Sequence, residues 1–349
     1  SAYLGDEVVP VADVRDEIVA ANRELSEQGL RVLSFAVRRF EGDSFDPDAD
    51  PMDLVEDLVF VALVGIIDPL RPSAKEAVAV ATEAGIDVRM ITGDHAVTAK
   101  AIADDLGLRS GVTTGPEFAA MSDDELASAV PDLHVFGRVT PQDKLRLVDM
   151  MQRDGLVVAM TGDAVNDAAA LKKADIGVAM GSGSEVTKQA ARMILTDDRF
   201  ATLVHAVELG RDIYDKVRSY LRYQLTGLFG VLLLMLIATA FNINKGVALS
   251  PGMLLYIALF VAVWAVLAIM TDVADPGLMQ RPPRDPSVQI FNRTTGTRWL
   301  LIGLVTALVA LVPLVWGPDE PKTDAASISM TMAFGVAALG GVPMALVQR

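Results

Sequence analysis

Three short polar segments hold the residues best suited to chemistry in this sequence. Ile91-Thr92-Gly93-Asp94-His95 ends an apolar run and opens a helical one. Thr140-Pro141-Gln142-Asp143-Lys144 opens another helix, and Thr161-Gly162-Asp163-Ala164-Val165-Asn166-Asp167 again leads from strand into helix. Together they offer what phosphate and magnesium need. Magnesium takes hard oxygen ligands, usually one or two carboxylates with phosphate and water. Asp163 and Asp167, flanking Asn166, could converge on one ion. Thr92 and Gly93 offer a hydroxyl and a close backbone approach at a helix N-terminus, which favours anions. Asp94 completes that segment. Lys144 would set a fixed positive charge beside a transferring phosphoryl group.

Each segment also has a purely structural reading. Thr-Gly-Asp is a common strand-end turn. Pro141 suits the first position of a helix, with Lys144 solvated on its face. Asp163, Asn166 and Asp167 could form an Asx turn and a helix cap. The order of the three segments, each at a strand-to-helix junction, favours the site.

The elements that position them alternate. Strands are expected at 58–67, 86–91, 135–136, 156–160, 176–179 and 192–195. Helices are expected at 74–84, 96–106, 141–153, 167–172 and 184–191. Such alternation argues an α/β fold, a parallel sheet with helices on both faces. Ligands then sit at the carboxyl ends of the strands. Ahead of this lie a helix near 11–28 and a strand at 31–36. A long helical stretch over 200–223 runs straight into apolar sequence.

The acids and the apolar residues are segregated. The chain has 349 residues, 52% hydrophobic, with a formal charge of −15 and no cysteine. The acid excess argues against nucleic acid, whose binding rests on cationic neutralisation of phosphates. Without cysteine there is no disulfide framework, thiolate metal site or Cys nucleophile. From Leu225 onward there are only seven basic and six acidic residues. That part holds four uncharged runs, near 225–241, 253–270, 299–316 and 327–347. A bilayer core asks for about 20 apolar residues per helix, so an α-helical membrane bundle is expected, embedded in phospholipid. The last run carries Gly340-Gly341-Val342-Pro343, so a kink or a weak span is expected there. Arg218 and Arg222 precede the first run, and Arg281, Arg284, Arg293 and Arg298 lie between the second and third. The positive-inside rule then puts the soluble part and that Arg-rich loop in the cytoplasm. No signal-peptide pattern opens the chain.

The motifs resemble those of the P-type cation-transporting ATPases, in the calcium-pump and sodium/potassium-pump branch. Thr92-Gly93-Asp94 is similar to the family's TGD motif, and Pro141 with Lys144 to its catalytic-lysine segment. Residues 161–167 match TGDGVND at all but one position. Ala174-Asp175-Ile176-Gly177-Val178-Ala179-Met180-Gly181 resembles the run that follows. Asp68-Pro69-Leu70-Arg71-Pro72 looks like the DPxR segment, and Gly29-Leu30-Arg31 like a nucleotide-domain segment whose Arg approaches ATP. His95 after Thr-Gly-Asp, at least four spans after the catalytic region, and Arg281-Pro282-Pro283-Arg284 point to the calcium-pump side.

The resemblance implies a haloacid-dehalogenase-like phosphorylation domain over 58–199, followed by a stalk helix at 200–224 and a membrane domain at 225–349. Residues 1–57 would be the tail of a nucleotide-binding domain. Thr92, Gly93 and Asp94 would act at the phosphoryl group, with Lys144 offsetting its charge. Asp163 and Asp167 would serve magnesium. Arg31, Asp68, Arg71 and Asn166 would serve ATP and the surrounding shell. The implied activity couples ATP hydrolysis to transport of a cation, calcium by default, across the plasma membrane.

Several departures limit this. The chain has no DKTGT run, so it lacks the aspartate that accepts the phosphoryl group, and covalent catalysis needs its nucleophile. Alone it is expected to be inactive, as part of a larger pump whose actuator domain, first spans and nucleophile loop lie elsewhere. Ala164 replaces a usual Gly, where a methyl could crowd phosphate or forbid a positive φ, and Ala169 a usual Pro. The family's membrane acids and amide fall on Ala262, Ala258 and near Val231. Two other readings follow. One is a non-catalytic pump half that binds magnesium and phosphate or regulates a partner. The other is a membrane-anchored phosphatase, for which Asp68 is the only nucleophile candidate.

Overall fold

The computed structural model describes residues 1–5, 7–28, 30–40, 50, 52, 54–66, 70–318 and 326–347, the last with side chains to Gly340. It divides into two units, Ser1–His205 and Ala206–Arg349.

The first unit opens with a four-stranded sheet. β1 (Ala2–Leu4), β2 (Glu7–Val9), β3 (Arg31–Val37) and β4 (Val59–Ile66) are ordered β2-β1-β4-β3, and α1 (Val11–Glu27) packs on β3 and β4. β4 was expected in the parallel sheet. Instead it pairs antiparallel with β3 along its whole length, Arg31 opposite Ile66 and Val37 opposite Val59. The two apolar strands match in length, so this ladder satisfies more backbone groups than an edge of the parallel sheet could.

α2 (Pro72–Glu83), β5 (Met90–Ile91), α3 (Ala96–Leu106), β6 (Val112–Thr114), α4 (Gly115–Ala120), α5 (Asp123–Ala129), β7 (Val135–Gly137) and α6 (Pro141–Arg153) follow. Then come β8 (Ala159–Gly162), α7 (Ala168–Lys173), β9 (Ile176–Met180), α8 (Glu185–Ala190) and β10 (Met193–Leu195). Their strands form two parallel three-stranded sheets, ordered β5-β7-β6 and β10-β9-β8. Ile91 and Met151 pack against the cores of both halves. This is the α/β architecture expected, but in two halves, with β5 and β8 each an edge strand.

β5 and β8 begin later than the apolar pattern predicts, for one shared reason. Gly85 (φ +74°) and Gly155 (φ +78°) end α2 and α6 in the left-handed region open to glycine. The following residues close those helices, Ile86 N–H donating to Ala81 and Leu156 N–H to Met151. Apolar residues that look like strand starts are thus helix caps. β6, α4 and α5 were not foreseen. Both helices begin with capping boxes, Thr114 with Glu117 and Ser122 with Glu125, a signal that was there to read.

The second unit contains most of α9 (Phe200–Ala240), an unbroken helix of 41 residues. α10 (Pro251–Tyr256), a π turn at Ile257–Val261 and α11 (Ala262–Met270) form one continuous rod, followed by α12 (Arg293–Trp316) and α13 (Ile328–Val347). Among the described residues, three helices are long and apolar enough to cross a membrane: α9, the Pro251–Met270 rod and α12. The fourth expected run forms a helix, but its described apolar stretch, Ile328–Gly340, is shorter than such a span. α9 and α12 touch closely at glycine. A Cβ on Gly303 would stand 2.9 Å from Gly230 N and from Phe229 Cβ. Small residues of this kind let membrane helices approach. Below them Leu234, Ala238, Ala307, Ala310 and Met330 form the bundle core.

Candidate active site

The Thr92–Asp94 turn follows β5. Thr92 N–H donates to Phe136 O at 2.9 Å, and Arg138 N–H donates to Asp94 O at 2.9 Å. Within the turn, Thr92 Oγ1 donates to Asp94 Oδ2 at 3.0 Å and accepts from Asp94 N–H at 3.0 Å. Gly93 is exposed, with nothing near the place of a Cβ. His95 caps α3, its Nδ1 accepting from Val97 N–H at 3.3 Å.

Residues 136–139, which hold this turn, lead directly into α6. Thr140 and Asp143 form a capping box, and Pro141 takes the first turn, where its missing N–H costs nothing. That fixes the direction of Lys144. Its Nζ lies 2.6 Å from Asp167 Oδ1, with side-chain exposures of 15% and 7%. Lys144 is therefore not the solvated residue of the structural reading.

Asp167 also receives Ala164 N–H on Oδ2 at 3.4 Å. It packs on Gly162, where an added Cβ would stand 2.6 Å from Asp167 Cβ. Glycine is required there by close approach. Asp163 is different. Its carboxylate is exposed at the carboxyl end of β8, and no described group donates to it. Its backbone is pinned instead, Asp163 O accepting from Ser184 N–H at 2.9 Å and Thr187 Oγ1 at 3.3 Å. The two carboxylates expected to converge on one ion thus have separate places. Asp167 is the partner of Lys144, and Asp163 is exposed with no donor among the described residues. Among the described residues no three His, Asp or Glu side chains gather as a metal cage. One exposed carboxylate still fits magnesium, which keeps water and takes substrate phosphate.

Asn166 is exposed in the turn ahead of α7. Ala164 has φ −93° and ψ 155°, an extended conformation open to any residue. The backbone therefore asks for no glycine there. Ala169 is exposed in the first turn of α7.

Arg71 lies off this chain of contacts but is tied to it. Its Nη1 donates to Asp198 O at 3.0 Å, and Asp198 Oδ1 accepts from Ser182 N–H at 3.1 Å, in the loop beside Asp163. The Ser182 N–H, with help from Arg71, holds the Asp198 carboxyl below its ordinary range. Arg31 starts β3 in the antiparallel sheet, away from these segments. Gly29 and Asp68 lie outside the described residues. In the second unit, Asp275 pairs with Arg281 at 3.1 Å, and Arg281 also reaches Asp215 at 3.2 Å.

Comparison with known proteins bears out the fold. The profile of haloacid dehalogenase-like hydrolases matches residues 2–175, and a second of that description matches 145–206. The profile for the C-terminus of cation transporting ATPases matches residues 246–349. Calcium-transporting ATPase 1 of Bacillus cereus is 37% identical over 350 residues, 95% of this chain and 38% of that protein. Calcium-transporting ATPase of Bacillus subtilis is 38% identical over 91% of this chain and 36% of its own length. The probable cation-transporting ATPase F of Mycobacterium tuberculosis is 41% identical over 88% and 34%. The chain belongs to the P-type cation-transporting ATPases.

It spans between a third and two-fifths of the length of these curated relatives. The family's phosphoryl-handling fold and its C-terminal apolar helices are both present, and the chain is an integral membrane protein by those helices and relatives.

Proposed function

We propose that this chain supplies the phosphoryl-handling and membrane parts of a P-type cation pump, and that the nucleophilic aspartate comes from a segment outside these 349 residues. The observation that carries this is the bonded path through all three motifs. Thr92–Asp94 is held by residues 136–139, Lys144 pairs with Asp167, and Asp167 holds Ala164 beside the exposed Asp163. The two half-sheets add support. Among the described residues β5 and β8 are unpaired on one side each, and both end in these motifs. Parallel sheets are normally covered, yet Ala159 within β8 is exposed. One more strand, ending in the acceptor aspartate, fits that place.

In this reading Thr92 Oγ1 and the exposed Gly93 backbone orient the phosphoryl oxygens, and Lys144 offsets their charge. Asp163 contributes a ligand to magnesium, which neutralises charge on the phosphoryl group when bound. Asp167 holds Lys144 in place. Arg71 and Asn166 support the loops around the site, Asp94 holds the Thr92 hydroxyl, and Arg31 and Asp68 serve ATP. Residues 1–57 act as nucleotide-domain tail, 58–199 as phosphorylation domain, 200–224 as stalk and 225–349 as membrane domain. The flanking arginines favour a cytoplasmic soluble part in the plasma membrane. The cargo is a cation, calcium by the relatives' names, with ligands from outside the described membrane helices.

The test is co-expression with a polypeptide carrying a DKTGT run, followed by labelling from γ-phosphate-labelled ATP with magnesium. An acid-stable phosphoenzyme is expected on that partner, and absent with Asp163→Asn or Lys144→Ala. No phosphoenzyme in the wild-type pair would sink the proposal. A non-catalytic magnesium- and phosphate-binding half is the second reading, favoured by the neutral residues at the membrane positions. It gives magnesium-dependent protection from protease that Asp163→Ala removes, without phosphoenzyme.

A further inference from the structure

Between α9, the Pro251–Met270 rod, α12 and α13 lies a cavity of about 230 Å³. One wall follows α9 from Tyr223 to Leu234, about 16 Å at 1.5 Å per residue. The opposite wall is the rod around its π turn, with Ala258 and Ala262. Single π turns widen a helix and recur at functional sites. Ala258 is exposed, so the cavity opens there. The rod itself is a thin wall, little of it buried, with Leu255, Leu259, Phe260 and Trp264 exposed.

Among the described residues the lining contains no charged side chain. Val231, Ala258 and Ala262 stand where acid and amide side chains are expected from the resemblance. The polar side chains on the wall are Tyr223, Gln224 and Thr306, and Thr306 Oγ1 already donates to Ile302 O at 3.0 Å. Stripping water from a cation without such partners is prohibitive. Water itself needs two to four polar partners to stay in a cavity, and apolar cavities instead accept apolar guests. Left empty, the wall atoms forfeit dispersion contacts.

The two ends differ. Tyr223 and Gln224, the polar pair of the wall, sit where α9 begins its apolar course. At the far end Leu254 and Ile257 pack with Leu234 in the bundle core. A guest matched to this shape is elongated, neutral and apolar, with one hydrogen-bonding group at one end.

We propose that this cavity is a binding site for a neutral single-chain amphiphile drawn from the bilayer, its hydroxyl at Tyr223 and Gln224 and its chain along Ala258 towards Leu234. The site is separate from the phosphoryl site and does not depend on that reading.

The experiment uses the 349-residue chain in phospholipid nanodiscs, labelled with hexadecanol carrying a photoreactive diazirine on its chain. Saturable adducts are expected on the peptides covering 223–234 and 254–262, and unlabelled hexadecanol should compete them away. Ala258→Phe and Ala307→Leu fill the cavity from different helices, and each should cut labelling about tenfold, whereas Trp264→Phe, outside the lining, should not. Radioactive calcium should show no saturable binding. Labelling that rises linearly with probe and ignores competitor overturns the proposal, and the wild-type chain alone decides that point. Saturable calcium binding lost in Ala258→Phe also overturns it.

Discussion

Asp167 and Ala262 stand in comparable places in the two units. Each occupies a position where the family resemblance leads one to expect a side chain with a task for charge. Asp167 keeps its carboxylate, and the surroundings are built around it: Lys144 at 2.6 Å, Ala164 N–H, and a glycine at 162 that leaves room. Ala262 has only a methyl, and its surroundings are a cavity walled by Val231, Ala258 and their neighbours. A retained charge organises its neighbourhood because leaving it unpaired when buried is costly. A lost charge leaves volume, because the helices around it are held by other contacts, such as the Gly230–Gly303 approach. The first unit is therefore sensitive to losing polar partners and the second to gaining bulk.

The sharpest break of this comparison is Lys144→Ala. It leaves Asp167 buried without its cation, and the first unit should lose about 3 kcal/mol or more. Pulse proteolysis in urea of the reconstituted chain would read this. Lys144→Met combined with Asp167→Leu should recover much of the loss, since neither charge then remains. If the single and double variants unfold alike, the pair does not organise the site. Next in size is Gly162→Ala, whose Cβ would collide with Asp167. A cost of about 1–3 kcal/mol is expected, again in the first unit. The membrane counterpart is Gly303→Val, which forces α9 from α12, by a similar cost of about 1–3 kcal/mol. It should show as lower resistance of the membrane bundle to denaturing detergent, with the soluble part unchanged.

The sequence made the site more legible than the fold that carries it. Three motifs stood out because polar residues recur, in order, at strand-to-helix junctions, although each has a structural use of its own there. α3 and α6 were readable to their ends, since His95, Gly107, Thr140 and Pro141 punctuate them. The starts of β5 and β8 were not, because Ile86 and Leu156 carry strand-like side chains while their N–H groups close helices. β4 read as a strand, but its partner is set by a ladder to β3 that no local pattern reveals. The Lys144–Asp167 pair also escaped, because it joins positions far apart in sequence through folding alone. In the membrane half the helices were legible from hydropathy. The cavity was not, since it depends on how small residues from four helices face one another.

A smaller effect separates backbone need from phosphate need at residue 164. Ala164 is extended, so Ala164→Gly relieves no strain and adds freedom to the unfolded chain. A loss of about 0.5–1 kcal/mol is expected, with no change in any phosphoenzyme formed with a partner. Faster phosphoenzyme formation in the glycine variant would show that the methyl group crowds the phosphate after all.

The smallest expected effect tests how polar groups hold the first unit away from its site. Asp175 Oδ2 accepts Val158 N–H at 2.9 Å just ahead of β8, and Gln152 Nε2 at 3.1 Å. These bonds, Val158 first, hold its carboxyl below the ordinary range. A carboxyl lowered in the folded state stabilises that state above its unfolded pKa, about 3.9. The contribution then fades as pH falls through the folded value, because protons bind the unfolded chain first. Asp175→Asn should therefore lower stability at pH 7 and leave it nearly unchanged once the Asp175 carboxyl is protonated in the folded as well as the unfolded chain. Amide exchange at Val158 gives the local readout, faster in the variant at neutral pH. The cavity should not respond over the same range, since its described walls hold no carboxylate. If amide exchange along the cavity walls followed this acid transition too, the contrast between a charge-organised site and a neutral cavity would fail.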